Sequence, residues 1–330
     1  MGPLRGKILA TAAGFSQRLG RLARRLARRP VVLALVGGLA AASAAGVLSS
    51  LFPMLAPFGD LQAHLSAAAA VAAAACLAIR SRAWAAAAAV VLAANLAVVG
   101  SRLAAVDTCA VQAAASGQHV LRVMTLNVWG RNGDAAAVAD AVARHRPDLL
   151  LLQELRPQHA ALLDRLRGQY AHRTLCDAHD DCGIAVLSTY PLERLRVVGD
   201  DTLMLVETRA RAGGGELVLL TTHMLRPYYG RGQAHQFAAL AEEVERMPAN
   251  SVVAGDFNST LWSANLSRFV QRAGVCAGNA GHATWPSWLG PLGLPIDHVF
   301  LKEGVSLFGI RTVTGTGSDH RGLLFTVGLR

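Results

Sequence analysis

Asn127, Gln153-Glu154, His223, Asp256 with Asn258, Asp297, and Asp319-His320 are the polar residues that end or interrupt apolar runs in the second part of this 330-residue chain. One polar residue at a strand end is ordinarily a turn or a cap. Six such places, drawn almost entirely from Asn, Asp, Glu and His, point instead to a shared site. No Gly-x-Ser-x-Gly nucleophile turn and no phosphate loop accompanies them. Carboxylates, amides and histidines without a nucleophile suit hydrolysis by water activated at an oxygen-ligated metal.

The elements that must position these groups read as an alternating α/β chain. Val120–Trp129 is rich in β-branched and apolar residues and predicts a strand; Asp134–Arg144 has helical spacing, and Asp148–Gln153 is a buried strand. Further strands are expected at 183–188, 193–198, 203–209, 216–222, 251–255, 297–301, 305–313 and 321–328. A helix is expected at 232–246, where Phe237, Leu240, Ala241 and Val244 share one face. Strands and helices in this order predict sheets packed together with helices outside, the candidate ligands lying at strand ends.

The local strings narrow the reading. Met124-Thr-Leu-Asn127-Val-Trp-Gly130, Leu151-Leu-Gln-Glu154-Leu, Thr221-Thr-His223, Ala254-Gly-Asp256-Phe-Asn258-Ser, Pro295-Ile-Asp297-His-Val-Phe300 and Gly317-Ser-Asp319-His320-Arg occur in that order. The set resembles the endonuclease/exonuclease/phosphatase superfamily of deoxyribonuclease I-like nucleases, inositol phosphatases and sphingomyelinases. The resemblance implies a four-layer α/β sandwich of two packed, mainly antiparallel sheets flanked by helices. It implies that Glu154 is the principal ligand of Mg²⁺ or Mn²⁺, with Asn127 and Asp319 close by. It further implies that Asp256 orients or deprotonates the attacking water, that Asn258 and Asn127 hold phosphate oxygens, and that His223 donates to the phosphoryl group. Asp297 then positions His320, which stabilises the charged transition state. Pro295, His298 and Gly322 depart from common family residues, and none of these changes removes an expected catalytic group.

Composition divides the chain near residue 105. Of the 32 Lys+Arg and 22 Asp+Glu, eleven bases and a single acid, Asp60, fall in residues 1–104, leaving 21 of each sign for the rest. The formal net charge of +10 therefore belongs to the N-terminal region, and the later domain is formally neutral. Three uncharged stretches near 31–51, 62–79 and 83–100 approach the roughly 20 apolar residues that a membrane span requires. Gln62 and His64 make the second the weakest. Eight basic residues precede the first stretch and Arg80 and Arg82 separate the last two, while 52–61 carries no base. The positive-inside rule then predicts a basic cytoplasmic segment at 1–30, three transmembrane helices within 31–104, a linker at 105–119 and an extracytoplasmic catalytic domain at 120–330.

Cysteine usage suits an oxidising compartment. Cys176 and Cys182 flank five residues and predict a small disulfide-closed loop, with zinc on Cys176, His179 and Cys182 as the alternative. Cys109 and Cys276 form a possible second pair. The stretch Trp285-Pro-Ser-Trp288-Leu-Gly-Pro-Leu-Gly-Leu-Pro295 reads either as core or as a hydrophobic lip admitting a lipid tail. Arg226, Arg231 and Tyr228-Tyr229 read either as a solvated loop or as a grip on phosphate and bases. Three spans followed by such a domain are also similar to the teicoplanin-resistance membrane proteins of the VanJ type. That resemblance implies a lipid-linked cell-wall intermediate, such as undecaprenyl pyrophosphate, as substrate. A formally neutral domain argues against a general nuclease, since phosphate neutralisation dominates nucleic-acid affinity. A surface-tethered nuclease and a non-catalytic binding or sensor protein are the alternatives.

Overall fold

A computed structural model describes residues 30–115, 118–176, 182–199, 203–213, 215–279 and 281–329. The basic segment expected at 1–30 lies outside these residues except for Pro30, and so does His179. The chain divides into two compact units, one holding residues up to Val47 and Gln62–Val98, the other Leu48–Leu61 and Val99–Arg330.

The first unit is helical. Helices α1 (Pro30–Leu48) and α4 (Arg82–Ala104) are each long and apolar enough to cross a membrane. Helix α3 (Gln62–Ala78) has 17 residues and reaches that length only together with the segment Pro53–Asp60 before it, which ends in the short helix α2 (Ala56–Asp60). The first helix stops at Leu48 rather than near 51, because the chain turns there and Pro53 opens a short 3₁₀ turn. Alanines let the helices approach closely around Val36, Cys76, Ala85 and Ala88. Gln62 Nε2 donates to Asn95 Oδ1 at 2.6 Å, and Asn95 Nδ2 donates to Ser43 Oγ at 3.0 Å. These buried amides bond one another across three helices because no water is available inside an apolar bundle.

The second unit carries two six-stranded sheets. The first has, in order, β11 (Val305–Val313), β12 (Gly322–Leu329), β1 (Leu121–Asn127), β2 (Leu149–Gln153), β4 (Ala185–Ser188) and β3 (His172–Leu175), and the second β5 (Leu192–Gly199), β6 (Met204–Ala212), β7 (Gly215–His223), β8 (Ser251–Asp256), β10 (Asp297–Leu301) and β9 (Cys276–Ala277). Within each, one pair is parallel, β1 (Leu121–Asn127) with β2 (Leu149–Gln153) and β7 (Gly215–His223) with β8 (Ser251–Asp256); the others are antiparallel. A parallel pair needs a long crossover. Helices α5 (Ala135–His145) and α7 (Arg231–Arg246) supply the two crossovers. Asp134 Oδ1 caps α5 by accepting from Ala137 N at 2.8 Å. The inner faces of both sheets close one core around Val123, Leu151, Val206, Leu219, Val252 and Phe325. Outside it, α5 and α6 (Ala160–Leu166) cover the first sheet, and α7 and α8 (Ala264–Ala273) cover the second. The result is the expected four-layer sandwich of mainly antiparallel sheets.

Among the elements that the sequence pattern does not predict are α6, α8, and the short strands β3 (His172–Leu175) and β9 (Cys276–Ala277). Strand β10 (Asp297–Leu301) pairs with both β8 and β9. Cys176 bonds Cys182, and Cys109 bonds Cys276, so the sulfurs proposed for zinc are consumed in a disulfide. Cys109 N also donates to Ala277 O, and Val111 bridges to Leu307, which stitches much of the stretch after α4 onto the sandwich. Loop-closure entropy grows with the closed length, 167 residues for Cys109–Cys276 and 6 for Cys176–Cys182. The entropic contributions are about 5 and about 2 kcal/mol respectively. Cys109→Ser/Cys276→Ser is therefore expected to lower Tm more than Cys176→Ser/Cys182→Ser in thermal unfolding; the reverse ranking would refute the entropic account.

Candidate active site

The parallel pairs bring their C-terminal ends together, and the registers state which residues meet. Asn127 stands opposite Gln153 in the first sheet, His223 opposite Asp256 in the second, and Asp297 opposite Asp256 across the antiparallel pair. Gln153 ties the sheets together, donating through Nε2 to Thr125 Oγ1 and to Thr221 Oγ1. All the residues singled out from sequence gather here.

Asn127 is fully buried and its Nδ2 donates to Glu154 Oε1 at 3.1 Å and to Asp256 Oδ2 at 2.9 Å. Its Oδ1 accepts from Trp129 N at 2.8 Å. The amide therefore presents nitrogen, rather than oxygen, to the carboxylates. Glu154 Oε2 accepts from Gly130 N at 2.7 Å, and Oε1 lies 3.6 Å from His223 Nε2 and 3.8 Å from Arg226 Nη2. Glu154 and Asn258 hold φ of +58° and +48°, a left-handed backbone that non-glycine residues seldom adopt. Such strain persists where the surroundings enforce it, commonly at functional sites.

Asp256 Oδ1 accepts from Asn258 N at 2.8 Å, and its Oδ2 lies 3.7 Å from both His223 Nε2 and His320 Nε2. Asn258 Nδ2 donates to Met224 O at 2.9 Å. His320 Nδ1 donates to Asp297 Oδ2 at 2.9 Å, and Ser318 locks the segment by accepting from His320 N and donating to Asn127 O. Asp319 Oδ2 accepts from Trp285 Nε1 at 3.2 Å, while its Oδ1 is buried with no hydrogen-bond partner.

The electrostatics follow from crowding four carboxylates out of water. Burial raises the Asp256 carboxyl and the neighbouring Asp297 charge adds to this, against His320 and His223. Burial likewise raises Asp319, with Glu154 and Asp256 reinforcing it. Burial would raise Glu154 too, but His223, Gly130 N and Asn127 hold it below the ordinary range. Burial alone would depress His320; the Asp297 and Asp256 carboxylates outweigh it and push the imidazole up to about 10. At His298, packed between Phe257 and Phe300, burial outweighs the Ser259 carbonyl and the Asp256 charge and pulls the imidazole down to about 4. It is a core residue whose Nε2 meets Ser259 O at 2.8 Å.

Glu154, His223 and Asp256 each offer one ligand atom within 4.8 Å of the others. The unpartnered Asp319 Oδ1 and the carboxylates of Glu154 and Asp256, crowded together away from water, form a hard-oxygen donor set that fits a divalent cation. Beside these groups lies a cavity of about 320 Å³ whose walls include Glu154, Asn258, Asp319 and His320 together with apolar Leu294 and Ile296. Sequence reasoning missed Asp60, which also lines this cavity. The available signal was that Asp60 is the only acid in residues 1–104. The Trp285–Pro295 stretch is not core: Trp288 is 79% and Leu292 71% exposed.

No curated protein matches the chain. Among solved structures, D. rerio TDP2 complexed with a single-strand DNA product superposes with a TM-score of 0.52 at 20% identity, over 63% of this chain and 99% of that one. Truncated Caenorhabditis elegans TDP2 gives 0.51 at 21% identity, over 64% and 98%. An endonuclease/exonuclease/phosphatase from Beutenbergia cavernae gives 0.53 at 19% identity, over 64% and 72%. These likenesses establish a common fold. The Endonuclease/Exonuclease/phosphatase family profile matches residues 124–320, from the strand before Asn127 to His320 itself. With that match running over more than half of the chain and through every group assembled above, the protein belongs to this family and is a metal-dependent phosphoester hydrolase.

Proposed function

We propose that the protein is a membrane-anchored phosphohydrolase whose domain at 120–330 works outside the cytoplasm on a lipid-linked cell-wall intermediate such as undecaprenyl pyrophosphate, an activity of the teicoplanin-resistance type. In this reading residues 31–104 supply three spans, 1–30 stays cytoplasmic and 105–119 connects the two parts. The observation that carries it is the site's mouth. Trp285 lines the cavity with its indole bonded to Asp319, and Trp288 and Leu292 stand exposed in the turn that follows it in sequence. Exposed Trp and Leu beside buried carboxylates suit a substrate with a phosphate head and an apolar tail. Two disulfides agree with an oxidising compartment.

Mg²⁺ (or Mn²⁺), held by Glu154 and Asp319 with Asn127 and Asp256 adjoining, would neutralise charge on the phosphoryl oxygens. Asp256 orients or deprotonates the attacking water. Asn127 and Asn258 hold phosphate oxygens and His223 donates to the phosphoryl group. His320, kept cationic by Asp297, faces the charge that accumulates in the transition state.

A second reading, a tethered nuclease, draws on Arg226 beside Glu154 and on the exposed Tyr228–Tyr229 pair, ring centroids 4.7 Å apart and tilted by 38°. The structural relative bound to single-strand DNA product lends it a precedent. Detergent-purified full-length protein with Mg²⁺ is to be given polyprenyl pyrophosphate and single-stranded DNA in parallel. Phosphate release from the lipid is expected. Trp288→Ser/Leu292→Ser should lower kcat/KM for the lipid by about tenfold or more, the scale of losing one buried apolar contact, and leave a soluble phosphodiester nearly unaffected. Cleavage of DNA alone would overturn the lipid reading in favour of the nuclease.

A further inference from the structure

The connection between the first two apolar helices is built into the catalytic unit rather than looping free. Residues Leu48–Leu61 cluster with the sandwich, not with the helices they join. Arg268 Nη2 donates to Ser50 O at 2.9 Å, and Met54 packs on Gly230, where an added Cβ would meet its sulfur at 2.8 Å. At the end of this segment the short helix α2 (Ala56–Asp60) delivers the one acid of the N-terminal region, 3% exposed, into the wall of the active-site cavity.

The partners of Asp60 are specific. Its Oδ1 accepts from Thr260 N at 2.7 Å, Ser259 Oγ at 3.0 Å and Thr260 Oγ1 at 3.1 Å, and its carbonyl accepts from Trp262 Nε1 at 2.8 Å. The three donors to the carboxylate belong to the two residues that directly follow Asn258. That turn carries Asn258 in the left-handed conformation, which does not hold itself. From the other side it is fastened by Asp256 Oδ1 on Asn258 N and by His298 on Ser259 O. Asp60 therefore closes a clamp. Three hydrogen bonds to one carboxylate oxygen are more than a cap requires, and a carboxylate out of water is costly unless it is so bonded.

We propose that Asp60 is a positioning residue of the active site: its carboxylate holds the Ser259–Thr260 turn and thereby sets the Asn258 amide against a substrate phosphate, making the inter-helix connection a working part of the enzyme. The inference rests on Asn258 acting on phosphate, but not on any lipid being the substrate.

The test uses the full-length protein in detergent with Mg²⁺ and bis(p-nitrophenyl) phosphate, together with calorimetric titration of inorganic phosphate. Asp60→Ala is expected to lower kcat, and weaken phosphate binding, by about 10- to 100-fold, the scale of a lost charge-assisted hydrogen-bond set. Asp60→Asn retains an acceptor oxygen and should stay within a few-fold of wild type. The decisive reading is the cycle with Asn258→Ala: if Asp60 acts through Asn258, the double variant is no worse than Asn258→Ala alone. A merely structural role predicts additive losses and a fall in Tm for both Asp60 variants, and that result overturns the proposal. Should Asp60→Ala not fold, Ser259→Ala/Thr260→Val removes two of the three donors and must show the same non-additivity. Retained phosphate affinity in these variants overturns this inference alone, whereas no release from polyprenyl pyrophosphate overturns the substrate reading alone.

Discussion

Glu154→Ala in the full-length protein is expected to lower phosphoester hydrolysis by about 10³-fold or more, the upper range for one preorganised electrostatic group. Glu154 is the carboxylate on which the site converges, with Gly130 N on Oε2, Asn127 Nδ2 on Oε1, and His223 and Arg226 within 4 Å. Its ionised form is favoured by these donors, so it meets a cation already charged. Glu154→Gln keeps the shape and an acceptor for Gly130 N but removes the charge. It should fall nearly as far, and the Mg²⁺ concentration giving half-maximal rate should rise. Removing divalent ions with a chelator should silence the wild type and leave little further to lose in Glu154→Ala. Folding is expected to survive the change, because deleting Glu154 also relieves repulsion on Asp319. A Glu154→Ala protein with wild-type Tm and wild-type turnover would remove Glu154 from the chemistry.

The residues singled out from sequence lie together because several of them end apolar runs, and in a parallel βαβ unit the strand ends converge. Asn127, His223 and Asp256 are last residues of strands, and Glu154 directly follows one. What could not be read was any contact between distant parts of the chain. Asp60 meets Ser259 across 199 residues of sequence, and nothing near Asp60 resembles a catalytic string. The orientation of the Asn127 amide was equally hidden, since residue type does not say which end faces the carboxylates. Strand β3 escaped notice because it is four residues long, is an edge strand and is mostly polar. Helix α8 escaped although Leu266, Phe269, Val270 and Ala273 follow helical spacing and Ser263 caps it, because the apolar signal spans barely three turns. In the N-terminal region hydropathy located the helices, but it could not say that Leu48–Leu61 would leave them for the sandwich.

Asp297→Asn should cost about 10²–10³-fold in kcat while leaving the fold intact, and the reason lies in what it does to His320. The imidazole is almost completely buried, an environment that by itself favours the neutral ring. It is held cationic by the Asp297 carboxylate at 2.9 Å, with Asp256 behind it at 3.7 Å. Asparagine fills the same space, yet it offers a dipole where a charge had been, so the cation proposed to face the phosphoryl oxygens is weakened without being moved. His320→Ala should lose at least as much, since it removes the cation itself. If Asp297 acts through His320, as proposed, the double variant should be no slower than His320→Ala, the non-additivity expected of residues that work as a unit. KM for a soluble phosphodiester should change far less than kcat, as the charge that His320 opposes develops only on the way to the transition state. Additive losses would mean that Asp297 serves the reaction by another route, for which its second oxygen, buried and without a hydrogen-bond partner, is the available group.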